Sequence, residues 1–309
     1  MSDDSGSGGR MPPLRGCGTA LVTPFLGDGA IDEEGVVALA RRQVDAGAHF
    51  LVPCGTTGES ATLASAEKVR IAELVVEAAD RLVPVVAGCG GSDTAEVIDL
   101  AGEIEATGAD GLLVVTPFYN KPTPDGLFAH YGALAEATAL PIVVYNVPSR
   151  TGVNVSPATL ARLASIPGVE GVKEAAGDIM QMGRVVQAAP EGFAVLSGDD
   201  AAALPAMALG AHGLISVVSN QIPGPMAKLC DLCLEGDFFA ARELHSRWLE
   251  LMEANFCETN PGPVKYSMYE MGLLKPRYRL PLAPITEASR RRVLDAMRAA
   301  GLPMATARV

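Results

Sequence analysis

Eight short apolar runs alternate with longer amphipathic stretches along the 309-residue chain, and this alternation constrains its fold more than any other feature. Several runs are continuously apolar, as expected of parallel strands that are buried on both faces. The predicted strands are Gly18–Thr23, His49–Pro53, Val83–Gly88, Leu112–Val115, Ile142–Tyr145, Gly171–Lys173, Ala194–Ser197 and Gly213–Val217. Eight strand–helix units favour an α/β fold, the (β/α)8 TIM barrel. The other arrangement considered is an open doubly wound sheet, which usually carries GxGxxG after its first strand, whereas this chain has TPFLGDG there.

Helix-capping residues and a weak internal repeat support this alternation. Ser65 and Asp93 each precede an amphipathic stretch and are predicted N-caps, and another helix is expected to begin near Asp32. The segments DAGAHFLVPCG, ATGADGLLVVTP and ALGAHGLISVVS each place Gly-Ala between a helix and a strand. Glycine can close a helix in the left-handed conformation, after which the chain turns directly into the strand.

The domain organisation follows from where the strand pattern begins and ends. Residues 1–12 are rich in Ser, Gly and Asp and are predicted to be a disordered tail. Strand patterns cease after about Gln221, and the remaining amphipathic stretches indicate helices. We therefore predict a catalytic barrel over residues 13–235 and a C-terminal helical region over residues 236–309.

Charge and composition exclude several classes of function. The net charge of −12 argues against a nucleic-acid partner. No run reaches the roughly 18 apolar residues that a membrane span needs, so no membrane association and a cytoplasmic location are expected. Cys230 and Cys233 form a CxxC that invites a metal or redox hypothesis, but no second cysteine pair or histidine cluster accompanies it. Ordinary helix cysteines are the favoured interpretation, and no metal site is predicted.

Lys173 is the most unusual of the candidate functional residues, because it ends an apolar strand where a buried ammonium is rare. In a barrel, active groups lie at the C-terminal ends of the strands. Burial of an amine disfavours its charged form, and a neutral amine attacks a carbonyl to form a Schiff base. The alternative is a structural salt bridge to Glu174 or Asp178, although strand alternation directs Glu174 to the opposite face. From the residues alone, both hypotheses stay open.

Other polar residues follow neighbouring strands and also have two interpretations each. Thr56 and Thr57 in GTTGES either bind a carboxylate or phosphate, or belong to a βα turn in which their hydroxyls cap a helix. Tyr145 is either a core tyrosine or part of a site. Arg150 is either a surface ion pair or an anion-binding group, and Tyr119 either packs beneath a proline-rich loop or acts in catalysis.

Six segments in register resemble the dihydrodipicolinate synthase / N-acetylneuraminate lyase family from about Gly18 to Leu274. The segments are GTTGESATL, TPFYNKP, YNVPSRTG, GVKEAAGD, LSGDD and ETNPGPVK. The resemblance implies a Schiff-base-forming (β/α)8 enzyme of class I that needs no metal and no organic cofactor. It also implies a homotetramer built from two tight dimers.

The resemblance assigns expected roles to individual residues. It implies that Lys173 is the Schiff-base lysine and that Tyr145 is a proton shuttle. Thr57 and Tyr119 are the expected proton relay, with Tyr119 reaching in from a neighbouring subunit. The expected substrate-binding residues are Thr56, Thr57, Arg150, Gly198 and Ile215.

The variant YNVPSRT, which contains Arg150, selects one branch of the family, because the sialic-acid lyases are expected to lack this arginine and to carry GSTGE. The implied reaction condenses pyruvate with L-aspartate-4-semialdehyde to 4-hydroxy-tetrahydrodipicolinate, in diaminopimelate and lysine biosynthesis. One alternative is a related aldolase or lyase for another 2-oxo acid, of the 2-keto-3-deoxygluconate or 4-hydroxy-2-oxoglutarate type. Another is a non-catalytic barrel that binds small ligands or partners.

Overall fold

One sheet of parallel strands curves into a barrel in the computed structural model, which describes residues 14–305. The predicted disordered tail at residues 1–12 lies outside this range. The (β/α)8 TIM barrel with C-terminal helices is confirmed. The strands are β1 Gly16–Ala20, β2 Phe50–Val52, β3 Val86–Gly88, β4 Gly111–Val115, β5 Ile142–Asn146, β6 Val169–Glu174, β7 Ala194–Ser197 and β8 Gly213–Ser216.

The strand order is β2-β1-β8-β7-β6-β5-β4-β3, so the two ends of the sheet are β2 and β3. These two strands meet at a single parallel bridge between Leu51 and Val85. The amide of Gly88 also donates to the carbonyl of Pro53 at 2.9 Å. These contacts bring the sheet round into a cylinder, which gathers the C-terminal ends of the strands around one opening.

The first strand, predicted as Gly18–Thr23, begins two residues earlier and ends three residues earlier. Gly16 pairs with Gly213 of β8, and its amide donates to the carbonyl of His212 at 3.0 Å. At the other end, the amide of Val22 donates to the side chain of Asn220 and not to a neighbouring strand. Pairing therefore begins and ends earlier than the apolar run indicates.

Helices connect the strands and continue beyond the last one. They are α1 Glu33–Asp45, α2 Ser65–Ala79, α3 Thr94–Glu105, α4 Pro124–Ala137, α5 Pro148–Thr151, α6 Pro157–Leu163, α7 Ile179–Ala188, α8 Ala203–Ala208, α9 Pro223–Glu235, α10 Phe238–Ala254, α11 Gly262–Glu270 and α12 Glu287–Ala299. Short 3₁₀ turns occupy Thr56–Gly58, Ser60–Thr62 and Val218–Asn220. Within residues 14–305, no helix combines the length and the apolar character that crossing a membrane requires.

One of the two predicted helix caps, Asp93, is confirmed, and Asp32, near which a helix was expected to begin, is also an N-cap. Asp32 accepts a hydrogen bond from the amide of Gly35, and Asp93 accepts one from the amide of Ala95. The prediction for Ser65 is wrong, because Ser65 is already the first residue of α2. Ala64 precedes the helix instead, and the carboxylate of Glu67 accepts a hydrogen bond from its amide at 2.9 Å. A glutamate in the first turn can thus cap a helix without a capping side chain ahead of it.

The internal repeat has a structural role beyond ending helices. The residue that follows each Gly-Ala forms a reciprocal pair of hydrogen bonds with a residue of the neighbouring strand region. His49 pairs in this way with Cys17, Asp110 with Val85, and His212 with Val195. In each pair the amide of the repeat residue donates to the carbonyl, and its side chain accepts from the amide, at 2.7–3.1 Å. The repeat therefore fixes the N-terminal ends of strands on the side of the barrel opposite the opening.

Apolar side chains fill the barrel interior below the opening. Phe50, Leu113, Val143, Leu196 and Ile215 come from five different strands and are almost completely buried against one another. Such a plug makes a barrel a packed core and not a channel.

The C-terminal region packs against the barrel. Val264 and Met268 of α11 share an apolar cluster with Val22, Leu39 and Val217. This packing brings α11 and the loop before it to the opening of the barrel. The predicted division at residue 235 coincides with the end of α9 and stays a prediction.

Candidate active site

Lys173 lies on β6 near the opening of the barrel and is only 4% exposed. It pairs in register with Tyr145 of β5. Its Nζ atom lies 4.3 Å from the centroid of the Tyr145 ring. The structure therefore brings together a buried amine and a phenol, two groups that sequence reasoning selected separately.

A salt bridge does not explain the position of Lys173. Glu174 lies on the other face of β6, where its carboxylate accepts hydrogen bonds from the side chain of Asn146 and the amide of Ala176. Burial raises the pKa of Glu174, although these hydrogen bonds oppose the shift. Asp178 caps α7 through the amides of Met180 and Gln181. Across residues 14–305, none of the ion pairs includes Lys173.

Gly198 gives the Lys173 side chain the space it occupies. A Cβ atom at position 198 would lie 3.0 Å from Cε of Lys173 and 2.6 Å from Cβ of Ala175. Ile215 of β8 is completely buried in the same interior cluster as Tyr145. Gly198 therefore borders the Lys173 side chain, whereas Ile215 belongs to the interior cluster that includes Tyr145.

The GTTGE loop after β2 places two hydroxyl groups at the same opening. Thr56 and Thr57 begin a 3₁₀ turn, and Thr57 is buried. The Oγ1 atom of Thr57 accepts a hydrogen bond from Nδ2 of Asn260 at 2.9 Å. No side-chain cap is formed at the start of this turn, so the structure does not use the threonine hydroxyls as its cap.

A cleft of about 270 Å³ opens beside these residues and is large enough for a small ligand. Thr56, Arg150 and Asn260 contribute to its lining. The guanidinium of Arg150 donates to the backbone carbonyl of Asn260 at 3.3 Å. A cation, a hydroxyl and an amide therefore face one small space, a set that suits a carboxylate-bearing ligand.

Tyr119 is the predicted site residue that the structure leaves apart from the others. Its side chain is 93% exposed, on the loop after β4. Its φ of +71° lies in the left-handed region, which is uncommon for a residue other than glycine. Within a single chain Tyr119 does not join Tyr145 and Thr57.

Three residues of the site were not selected from the sequence. Asn260 contacts Thr57, and Lys265 forms a completely buried ion pair with Glu59 at 2.6 Å. All three lie inside the motifs GTTGES and ETNPGPVK. Sequence reasoning could not identify these residues, because nothing in the sequence shows that the two motifs are in contact in the fold.

The CxxC cysteines lie in α9 within an apolar cluster. Both are buried, and burial raises the pKa of Cys233 to about 12. Thiols of this kind are poor nucleophiles and poor metal ligands. Over the described residues, no three histidine, cysteine or acidic side chains are grouped as a metal site requires.

Comparison with known proteins supplies a context for this geometry. The model of the dihydrodipicolinate synthetase family matches residues 13–300. The 4-hydroxy-tetrahydrodipicolinate synthase of Koribacter versatilis is 48% identical over 278 residues, which cover 90% of this chain and 93% of the relative.

Solved structures of dihydrodipicolinate synthases are also similar to this chain over most of its length. A chloride-inhibited dihydrodipicolinate synthase from Acinetobacter baumannii, complexed with pyruvate, superimposes with a TM-score of 0.92 at 40% identity, covering 94% of this chain and 99% of that one. A structure described as a monomeric dihydrodipicolinate synthase variant has a TM-score of 0.91 at 42% identity, covering 94% of this chain and 98% of its own.

Proposed function

The chain belongs to the dihydrodipicolinate synthetase family, and on that premise we propose that its barrel opening condenses pyruvate with L-aspartate-4-semialdehyde to 4-hydroxy-tetrahydrodipicolinate. This is the first committed step toward diaminopimelate and lysine. The observation that carries the proposal is the buried Lys173 amine, which contacts the Tyr145 ring and has no carboxylate partner among the described ion pairs.

The first half-reaction uses Lys173 as the nucleophile. The neutral amine attacks the ketone carbon of pyruvate and forms a carbinolamine, which loses one water molecule to give a protonated imine. The hydroxyls of Thr56 and Thr57 hold the pyruvate carboxylate. The imine withdraws electrons, so a proton leaves the methyl group and an enamine forms.

The second half-reaction joins the two substrates. The enamine carbon attacks the aldehyde carbon of the semialdehyde, and the aldehyde oxygen gains a proton to become the product hydroxyl. Arg150 holds the carboxylate of the semialdehyde with its planar guanidinium. The substrate's own amine then displaces Lys173 from the imine carbon, which closes the ring and releases the enzyme.

Proton transfer requires more than one hydroxyl. The reference pKa of a tyrosine is about 10, so an isolated phenol is a weak base at neutral pH. In the proposed relay, Tyr145 exchanges protons with Thr57 and with Tyr119 of a neighbouring subunit. A hydroxyl chain moves a proton without forming a free phenolate.

We include the assembly in the proposal as a homotetramer of two dimers. Tyr119 is 93% exposed and Leu280 82% exposed, which supports one contact surface near the cleft. Met180 and Leu209, on α7 and just after α8, are 67% and 47% exposed and support a second surface. Because one related structure is described as a monomeric variant, membership of the family alone does not fix the assembly. A cytoplasmic location, where these metabolites are made, belongs to the same proposal.

Reductive trapping tests the covalent step. The protein is incubated with pyruvate and borohydride, and its mass should increase by one reduced pyruvate, attached to Lys173. The Lys173→Ala variant should gain no mass, because it lacks the amine. An adduct on another residue, or none on the unsubstituted protein, would overturn the proposal and favour the non-catalytic barrel.

Arg150 distinguishes the proposed reaction from that of an aldolase for another 2-oxo acid. Arg150→Met should lower kcat/KM for the semialdehyde by roughly 10- to 100-fold, because a charge-assisted hydrogen bond is lost. Trapping of pyruvate on Lys173 should change little. A matched control is Arg162→Met, which removes a half-exposed arginine that pairs with Asp125 and should leave both measurements unaltered. Equal losses in trapping and condensation for Arg150→Met would favour the other aldolase.

A further inference from the structure

The ion pair between Glu59 and Lys265 is the most deeply buried charged pair in residues 14–305 and takes no part in the proposed chemistry. Both side chains are completely buried, and Nζ of Lys265 lies 2.6 Å from Oε1 of Glu59. Nζ also donates to the carbonyl of Thr23 at 2.9 Å, and the amide of Arg279 donates to Oε2 of Glu59 at 3.3 Å. A buried ion pair is weak evidence for a stabilising role, because desolvation opposes the attraction. Its position therefore calls for another explanation.

The ion pair joins two segments that are also joined by a hydrogen bond at Thr57, a residue of the proposed proton relay. Glu59 lies two residues after Thr57 in the GTTGE loop, and Lys265 lies five residues after Asn260 in ETNPGPVK. Asn260 and Thr57 are themselves hydrogen-bonded at 2.9 Å. The ion pair and this hydrogen bond thus connect the same two segments at two points, which fixes their separation and their relative rotation.

The backbone at Glu59 requires such a restraint. Its φ of +58° and ψ of 33° lie in the left-handed region, which disfavours a residue with a side chain. The preceding carbonyl, that of Gly58, accepts a hydrogen bond from the hydroxyl of Thr23 at 2.7 Å. The contacts of the Glu59 side chain and of its neighbours therefore stabilise a backbone conformation that is unfavourable by itself.

The hydrogen bond from Asn260 determines where the Thr57 proton points. A threonine hydroxyl has one proton and two lone pairs. Because Nδ2 of Asn260 donates to Oγ1, it occupies one lone pair, and the Thr57 proton is directed at another acceptor. If the loop shifted away from α11, the hydrogen bond from Asn260 would break. The Thr57 hydroxyl would then no longer be oriented, although Thr57 itself was still present.

We propose that the Glu59–Lys265 ion pair is a positioning device for catalysis, which holds the GTTGE loop against the ETNPGPVK segment so that Asn260 orients the Thr57 hydroxyl. The inference rests on the proposed function, since it concerns the relay of that reaction. Burial lowers the pKa of Lys265, and the contact with Glu59 opposes this shift.

The test is a double-mutant cycle between the ion pair and Thr57. The pair is replaced by Glu59→Gln together with Lys265→Met, which removes both charges and leaves no uncompensated ion. This double variant should lower kcat roughly 10- to 100-fold, because small displacements of catalytic groups have effects of this size. KM for pyruvate should change much less. In a Thr57→Val background the same replacement should lower kcat by less than about twofold, because the group it positions is already absent.

A purely structural role predicts a different result. It would lower kcat by the same factor in both backgrounds, and that outcome would overturn the proposal, as would an unchanged kcat. A charge-removal control is Glu33→Gln with Arg70→Met, which removes a half-exposed pair between α1 and α2 and should leave kcat unaltered in both backgrounds.

Two further measurements keep the test decisive. If the double variant unfolds, the apolar pair Glu59→Met with Lys265→Met, which also leaves no unpaired charge, is used in the same cycle, with the same outcomes. Pyruvate trapping on Lys173 is measured in parallel on the unsubstituted protein. Absence of the adduct would overturn the proposed function itself, whereas equal kcat losses with a normal adduct would overturn only the positioning role.

Discussion

At the scale of single residues, the site depends on the space beside small residues as much as on the reactive groups. Lys173 extends across a position where Gly198 has no side chain, and any larger residue there would meet its Cε atom. Protein interiors are close-packed, so a single added methyl group forces the atoms around it to shift. The predicted role of Gly198 can therefore be tested sterically.

Gly198→Ala should slow adduct formation between pyruvate and Lys173 by about tenfold or more, because the new Cβ would lie 3.0 Å from Cε of Lys173 and 2.6 Å from Ala175. Overpacking of this kind also destabilises a core by about 1–3 kcal/mol. Borohydride trapping rates and thermal unfolding measure the two effects. Adduct formation at the parental rate would show that the lysine does not need this space.

Gly102→Ala is the matched control for this substitution. Gly102 is exposed on α3, and a Cβ there would have no atom within 4 Å. Because alanine favours a helix over glycine, the free energy of unfolding should rise by about 0.5–1 kcal/mol, with trapping unaltered. A slower trapping rate in this control would point to a general effect of glycine replacement.

The residues that sequence reasoning could and could not identify differ in one physical respect. Lys173 and Arg150 could be selected because Lys173 ends an apolar run and Arg150 lies in the segment that follows one, and in a barrel such positions lie at the C-terminal ends of the strands. Asn260 and Lys265 lie more than 40 residues beyond the last strand, and their partners Thr57 and Glu59 are about 200 residues away in sequence. Only the packing of α11 on the barrel brings them together.

At the scale of elements, the number and type of the strands followed from sequence, but many of their ends did not. Continuous apolar runs predict buried strands, whereas the ends of a strand depend on which neighbour supplies a hydrogen bond. Val22 continues the apolar run of β1, yet its amide bonds to Asn220. Likewise, the Gly-Ala repeat can be recognised in the sequence. The reciprocal hydrogen bonds of the residue after each Gly-Ala cannot, because their partners lie on strands elsewhere in the chain.

That repeat predicts a dependence of stability on pH. The Nδ1 atom of His212 accepts the amide of Val195 at 3.0 Å, which requires a neutral ring. Burial, and next the nearby Arg15, lower the pKa of His212 below its usual 6.5. A lowered pKa in the folded state means that the contribution to stability is complete above pH 6.5. It is lost as the pH falls through the folded-state pKa, because the unfolded chain takes up the proton first.

His212→Asn tests this linkage. The asparagine oxygen can accept the same amide, as Asp110 does for Val85, and it does not titrate between pH 5 and 8. The parent should lose stability between pH 7 and pH 5 in urea titrations, and the variant should lose less over the same interval. The comparison at pH 8, where the ring is neutral in both states, controls for the substitution itself. Equal losses in both proteins would exclude His212 as a source of the pH dependence.

At the scale of the whole molecule, the C-terminal region completes the opening of the barrel from within the chain. Asn260 and Lys265 come from α11 and the loop before it, so the site draws on residues from Thr56 to Lys265. Tyr119 remains the exception, because it is 93% exposed on the loop after β4. The proposal that Tyr119 acts from a neighbouring subunit requires an interface that brings it to the opening of another barrel.

Hybrid dimers test that conclusion. One subunit carries Lys173→Ala with Tyr119 intact, and the other carries Tyr119→Phe with Lys173 intact. If Tyr119 acts across the interface, the site with Lys173 receives an intact Tyr119 from its partner, while the second site lacks both groups. Co-expression with two different tags yields mixed dimers, and random pairing gives about a quarter of all sites complete. Activity should therefore return when two nearly inactive variants are combined, and purified hybrids should have about half the parental activity per dimer. If Tyr119 served its own chain, neither site of the hybrid would be complete, and the mixture would stay as inactive as its components.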